Sequence, residues 1–428
     1  ATSALRGAFE VPPSKSVHQR ALVLATLAEG ASSIEAAGDP GDDVLRLAAA
    51  LSLLSGRPVA PTGTVEGAFG TSGLGRSRAS LRLDLGMNAT GLRLLCALAC
   101  LRPSGARTLL TGAPRLRARP TRPLLRALAR LGAHVRRRPT GAVRAIGGGL
   151  RPGRVAMRAD VSSQFASALC LAAPRFGGVG VALVGEPVSS GYLALTVGVL
   201  RTFGVEAVAR GREVTVPGTP PRAARVRVEG DASSAAVWWA AAAATGGDAR
   251  TPSVPGLSAQ PDLALLPVLA RMGASVAASP GGEEGVRVRG PDDARPVLRA
   301  PGEVDLRHAP DLAPLVGALG ALAEGETRVV GAPQLRLKES DRVATVVAAA
   351  RAIGAEAEPR PDGFVVRGPA RRGGVVDAAG DHRVVLAFAV AGLVVPVAIR
   401  GARAVAKSWP GFPDALARAL AASPDGAA

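Results

Sequence analysis

Glycine punctuation divides this chain into repeats. Ala- and Leu-rich stretches of helical period end at Gly56, Gly132, Gly204, Gly273 and Gly354, at intervals of 76, 72, 69 and 81 residues. A glycine just past a helix can take the left-handed conformation that closes the last turn. Each is followed by a short alternating strand, a Gly/Pro turn and a second strand, most clearly after Leu124 to Val135, Thr196 to Ala207, Leu265 to Val276 and Val346 to Ala357. A last helix, about Pro413 to Ala421, has no strand behind it, and the segment Ala8 to Val11 is expected to supply the missing strand from the other end of the chain. The pattern predicts about six α/β units in two lobes, residues 14–229 and residues 1–13 with 230–428. The chain would cross between them near Pro12-Pro13 and Gly230-Asp231, with the site in the cleft they enclose.

Composition narrows the function. The longest glycine-free apolar stretch, Ala235 to Ala244, is well short of the roughly 20 residues that span a membrane, and no basic-then-apolar leader opens the chain, so a cytoplasmic protein without membrane partners is expected. Cys96, Cys100 and Cys170 sit in apolar runs and His18, His134, His308 and His382 are dispersed, which predicts no metal site. The net charge of +18 is scattered arginine with few aromatics, which favours small anionic ligands over nucleic acid.

Within that charge, lysine is scarce. Of 52 basic residues only Lys15, Lys338 and Lys407 are lysines, so an ammonium stands where this chain could have used arginine. Tyr192, Asn88 and the glutamines Gln19, Gln164, Gln260 and Gln334 are comparably rare. Lys15 lies between Ser14 and Ser16 at the start of an apolar helix, with Arg20 one turn on, a pattern suited to an anion. Ser162-Ser163-Gln164 and Ser189-Ser190-Gly191-Tyr192 repeat the design of hydroxyls before a helix. Lys338-Glu339-Ser340-Asp341-Arg342 places a cation and a carboxylate able to exchange a proton beside a guanidinium fork, and Asp381-His382-Arg383 opens a further helix.

In this order, with Pro114 to Pro120, Glu229 to Ser234, Pro310-Asp311 and Ala406-Lys407, these motifs resemble the 5-enolpyruvylshikimate-3-phosphate synthases from Val11 to Leu416. The resemblance implies a two-lobed inside-out α/β barrel, each lobe three βαβαββ units. It implies transfer of the enolpyruvyl group of phosphoenolpyruvate to the 5-hydroxyl of shikimate 3-phosphate with release of phosphate, by a monomer that needs no cofactor. Shikimate 3-phosphate would meet Lys15, Ser16, Arg20, Ser162, Ser163, Gln164, Ser189, Tyr192, Asp311, Gln334 and Lys338. Phosphoenolpyruvate would meet Lys15, Arg93, Arg119, Gln164, Glu339, Arg342, Arg383 and Lys407. Lys15, Asp311, Lys338 and Glu339 would be catalytic, Asp311 and Lys338 handling the hydroxyl proton and Glu339 the C3 proton.

The chain departs from the family's Gly-Asn-x-Gly-Thr-x-x-Arg-Pro at Ala89 and Leu94, reading Gly86-Met87-Asn88-Ala89-Thr90-Gly91-Leu92-Arg93-Leu94. Ala89 adds a methyl where phosphoenolpyruvate would pack, which predicts weaker inhibition by the larger glyphosate. Gln334, Gly380 and Pro13 also depart from the family's usual Asn, Asn and Gly. The alternatives are a related transferase acting on another acceptor such as a nucleotide, an RNA 3'-phosphate cyclase-like enzyme and a nucleic-acid binder. Arg20 and Tyr192 favour shikimate over the first. His382, beside Asp381 and Arg383, does not resemble the cyclases' nucleophile.

Overall fold

The computed structural model describes residues 4–71, 73–279, 285–291, 298–370 and 372–422. The chain divides into two units, Ser14–Val228 and the pair of segments Ala1–Pro13 and Glu229–Ala428, each with its own hydrophobic core. Glu229, expected to end the first unit, opens the second segment of the other.

One motif recurs. Strands Leu81–Asp84 and Arg107–Thr111 pair in parallel across the helix Ala89–Leu98. A second helix, Arg122–Arg130, leads into the hairpin His134–Arg137 and Val143–Ile146, whose later strand joins Arg107–Thr111 antiparallel. The sheets opened by Gly153–Arg158 and by Gly302–Asp305 have the same order. Arg6–Ala8 opens a fourth such sheet, pairing in parallel with Asp248–Thr251.

That pairing corrects the expectation for the N-terminus. The strand lies at Arg6–Ala8 rather than Ala8 to Val11, and it begins the unit of the helix Ala232–Thr245 instead of completing the last one. The last unit stops at the parallel pair Gly374–Asp377 and Val397–Arg400 and the helix Phe412–Ala421. A matching exchange occurs at the other crossing, where Arg225–Val228 pairs in parallel with Ala31–Ala36. The two crossing segments are bonded to one another: Pro13 bridges Gly230 antiparallel, and Asp231 N donates to Pro12 O at 2.8 Å.

Sheets and helices divide the burial. In Gly153–Arg158 the inward Val155 and Met157 alternate with exposed Arg154, Ala156 and Arg158, the mark of a sheet wetted on one face. The helices Ala232–Thr245 and Ala313–Leu322 are buried on nearly every side, which is why their sequences are apolar all round rather than striped. The five punctuating glycines all have positive φ, from +70° at Gly56 to +101° at Gly273, where a side chain would strain the backbone. Among the described residues, no helix is long and apolar enough to cross a membrane.

Candidate active site

In the Ser14–Val228 unit, polar residues gather at the starts of buried helices. Lys15 is the first residue of the helix Lys15–Leu27, and its Nζ lies 3.1 Å from Asp43 Oδ2. Ser14 holds the cap position, but its hydroxyl makes no cap hydrogen bond, and Ser16 lies within the helix. Asn88 joins this corner to the next helix: its side chain caps Gly91 N at 2.7 Å and donates to Gln19 Oε1 at 3.1 Å and Asp43 O at 2.6 Å.

Arg20 is 1% exposed. Its Nε donates to Thr196 Oγ1 at 2.8 Å, Nη1 to Ser16 O at 2.7 Å, and Nη2 to Tyr192 O at 3.2 Å and Ser167 Oγ at 3.4 Å. All four partners are neutral, and among the described residues no carboxylate pairs with Arg20. Burial lowers its pKa to about 10, which leaves it cationic at neutral pH. Tyr192 is tied to Arg20 through its carbonyl, and Ser189 just before it holds a left-handed φ of 57°, a conformation a non-glycine adopts at a cost of about 1–3 kcal/mol.

Arg93 draws the third group together. Its Nη1 donates to Gln164 Oε1 at 2.5 Å and Ser162 Oγ at 3.1 Å, its Nη2 to Pro120 O at 3.1 Å, and its guanidinium stands 4.8 Å over the Phe165 ring. Gln164 in turn donates to Thr90 Oγ1 at 2.9 Å. Ser163 caps the helix Gln164–Ala172 by position, and Arg119 ends the short helix Pro114–Ala118; both are buried.

The other unit is organised around Arg342, which is also 1% exposed but meets three carboxylates. Nε lies 2.8 Å from Asp381 Oδ2, Nη1 2.7 Å from Asp311 Oδ1 and Nη2 3.0 Å from Glu339 Oε2. Lys338 Nζ reaches the same Asp311 oxygen at 3.0 Å, Arg383 Nη2 its other oxygen at 3.1 Å, and Lys407 Nζ bonds Glu339 Oε1. Local sequence sets these directions. Asp341 caps the helix Arg342–Ala352 through Ala344 N, and Asp381 caps His382–Ala391 through Arg383 N, so Arg342 and Arg383 each stand at a helix start.

Burial alone would raise the Asp311 pKa, but Arg383, Lys338 and Arg342 overcome it and hold the carboxyl well below the usual carboxylate range. It is therefore ionised at neutral pH and a weak base while those cations surround it. Burial likewise disfavours the Arg342 charge, and Asp381, Glu339 and Asp311 reverse this and hold its pKa well above the usual value.

Lys338, Asp311, Arg342, Glu339, Arg383 and Lys407 thus form one network, while Gln334 bonds Arg307 O at 3.4 Å rather than joining it. Sequence reading did not single out Asp43, Thr196, Ser167 or Asp262. Asp262 closes the stretch Ser258 to Asp262, where the rare Gln260 was a signal. Among the described residues, no group of three or more His, Cys, Asp and Glu is placed to hold a metal.

The family model of EPSP synthase (3-phosphoshikimate 1-carboxyvinyltransferase) matches residues 1–416. The 3-phosphoshikimate 1-carboxyvinyltransferase of Methanothermobacter thermautotrophicus is 37% identical over 419 residues, 96% of this chain and 95% of the relative. That of Halobacterium salinarum is 38% identical over 441 residues, covering 99% and 98%. An EPSP synthase structure from Acinetobacter baumannii matches with a TM-score of 0.78 at 26% identity, covering 98% of this chain and 96% of that one. The enolpyruvyl transferase NikO from Streptomyces tendae, 20% identical with a TM-score of 0.73 over 97% and 95% of the chains, shares the fold. With a family match over nearly the whole chain and relatives this similar, the chain belongs to the EPSP synthase (3-phosphoshikimate 1-carboxyvinyltransferase) family.

Proposed function

We propose that this chain transfers the enolpyruvyl group of phosphoenolpyruvate to the 5-hydroxyl of shikimate 3-phosphate, and that the two constellations act on one pair of substrates. The observation that carries the reading is Arg20, a buried cation whose protein partners are all neutral, in a family whose acceptor is a carboxylate and phosphate ester. An anion completes such a site with charge-assisted bonds.

On this reading Arg20, with Tyr192, Ser16 and Ser189, receives the shikimate ring and its carboxylate, while Ser162, Ser163 and Gln164 hold its phosphate. Gln334 lines the acceptor side. Lys15, Arg93 and Arg119 share phosphoenolpyruvate with Arg342, Arg383 and Lys407.

The substrate hydroxyl adds to C2 as C3 gains a proton, and phosphate then leaves the tetrahedral intermediate as a C3 proton departs. Asp311 and Lys338, 3.0 Å apart, form the pair that takes the hydroxyl proton: an approaching hydroxyl competes with Lys338 for the carboxylate and raises its basicity. Glu339, hydrogen-bonded to Lys407, has an ammonium proton source beside it and delivers to C3. Fixed cations around the departing phosphate supply most of the acceleration, because they need no reorganisation as charge develops. On this reading one chain carries every group the reaction needs, which supports a monomer, and the phosphorylated substrates fit an enzyme of the cytoplasm.

Phosphate release tests the reading. The purified protein is expected to release phosphate from phosphoenolpyruvate with shikimate 3-phosphate and not with nucleotide acceptors; turnover with a nucleotide alone would transfer the assignment to that acceptor.

A further inference from the structure

Asp262 is 2% exposed, and its carboxylate has little to compensate it. Ser233 Oγ donates to its Oδ2, whereas Oδ1 is buried and meets no hydrogen-bond partner among the described residues. Ser233 also accepts from Arg383 Nη2 at 3.2 Å, and the same nitrogen lies 3.1 Å from Asp311 Oδ2. The hydroxyl therefore has a fixed direction: its proton points at Asp262 and a lone pair at Arg383.

The surrounding loop is built to hold that carboxylate in place. Gln260 Nε2 donates to Glu229 Oε1 at 2.9 Å and Gly230 O at 2.8 Å, and Gln260 Oε1 accepts from Ala232 N at 3.0 Å. Ser258 Oγ adds a bond to Glu229 Oε1 at 2.6 Å. The turn Pro261–Ala264 is thus pinned to the start of the helix Ala232–Thr245, one residue from Ser233.

We propose, on the reading of Arg383 as a phosphoenolpyruvate-binding group, that Asp262 is a positioning residue that acts through Ser233 to set the direction of the Arg383 guanidinium. Without a carboxylate beneath it the Ser233 hydroxyl is free to turn, and the contact it makes to Arg383 Nη2 beside Asp311 loses its fixed direction. An isolated buried carboxylate is otherwise a liability to the fold. The charged groups facing it are Arg383, which favours its ionised form, and Asp311 and Asp231, which oppose it; burial is the largest effect, and its pKa is raised to about 6. Lowering the pH therefore switches the orienting charge off, which provides a readout that a packing role lacks.

The test compares KM for phosphoenolpyruvate in Asp262→Asn with that of the unaltered chain between pH 5 and 8, as a ratio in which ionisation of the substrate cancels. The expected ratio is about tenfold at pH 8, the scale of a lost hydrogen bond to a charged group, with kcat changed by less than about threefold. The ratio should fall towards unity below pH 6, where the native Asp262 is itself neutral. A ratio near unity throughout, or one raised equally at every pH, overturns the proposal. Ser233→Ala cuts the same link while leaving the carboxylate in place, so it serves if Asp262→Asn does not fold. It should raise KM similarly and leave Asp262→Asn no further effect in the double variant; an unchanged KM or additive effects overturn the proposal. Absence of phosphate release by the unaltered chain would instead overturn the functional reading, which separates the two failures.

Discussion

Arg342 and Arg20 are equally buried, each 1% exposed, yet one faces three carboxylates and the other faces none among the described residues. Burying a charge is tolerable only if something in the site compensates it. Around Arg342 the protein supplies that compensation itself, so the network stabilises the fold as well as shaping a binding surface. Around Arg20 only neutral oxygens are provided, which leaves most of the compensation to a ligand. The same kind of side chain is thus compensated by the protein in one unit and left to a ligand in the other, and its partners make the difference.

The strongest way to break this contrast is at Lys15. Lys15→Ala is expected to lower turnover by about a thousandfold or more while the protein stays folded, since it removes an ammonium from the reacting charges; phosphate release and far-ultraviolet circular dichroism together check this. Arg342→Met comes next. It leaves the buried Asp381 without its guanidinium, beside the half-buried Asp311 and Glu339, and should destabilise the protein by about 3–5 kcal/mol, measured from the denaturant midpoint. The matched change Arg20→Met should alter stability by less than about 1 kcal/mol yet raise KM for shikimate 3-phosphate about a hundredfold. Equal destabilisation by the two methionines would erase the contrast.

The carboxylates sharpen it through pH. Asp262 titrates near 6 in the folded chain against an ordinary 3.8, so the folded state binds more protons in that window and loses stability as pH rises through it. Asp262→Asn should therefore be more stable than the unaltered protein by about 1–3 kcal/mol above pH 6 and no different below pH 4, as thermal melts across pH would show. Asp311 has the opposite sign. Its pKa is held low, so its contribution is present above 3.8 and lost as the pH falls through its lower folded value. The smallest expected effect is steric. Ala89, buried at the first position of its helix, should make the enzyme several-fold less sensitive to glyphosate than Ala89→Gly, which inhibition curves for the two proteins would reveal.

Much of this was legible in the chain. Gly132, Gly204, Gly273 and Gly354 mark real helix ends because the left-handed φ they adopt is a local demand that glycine meets at least cost. The rarity of lysine drew attention to Lys15, Lys338 and Lys407, which lie against Asp43, Asp311 and Glu339. The N-terminal strand was misplaced because a three-residue strand carries almost no periodic signal, and its partner Asp248–Thr251 lies some 240 residues away. Asp43 and Asp262 were passed over for a related reason: an aspartate that is buried and one that is solvated look alike until the chain is folded around them.

The sequence by itself determined the repeat, the helix starts and ends, and which residue types were available for chemistry, because these depend on neighbours within a few positions. Only the tertiary structure decided which sheet Arg6–Ala8 opens, and that Arg342 is encircled by acids while Arg20 is not. Burial and charge pairing depend on groups far apart in the chain, and no local pattern of residues encodes the distance between them.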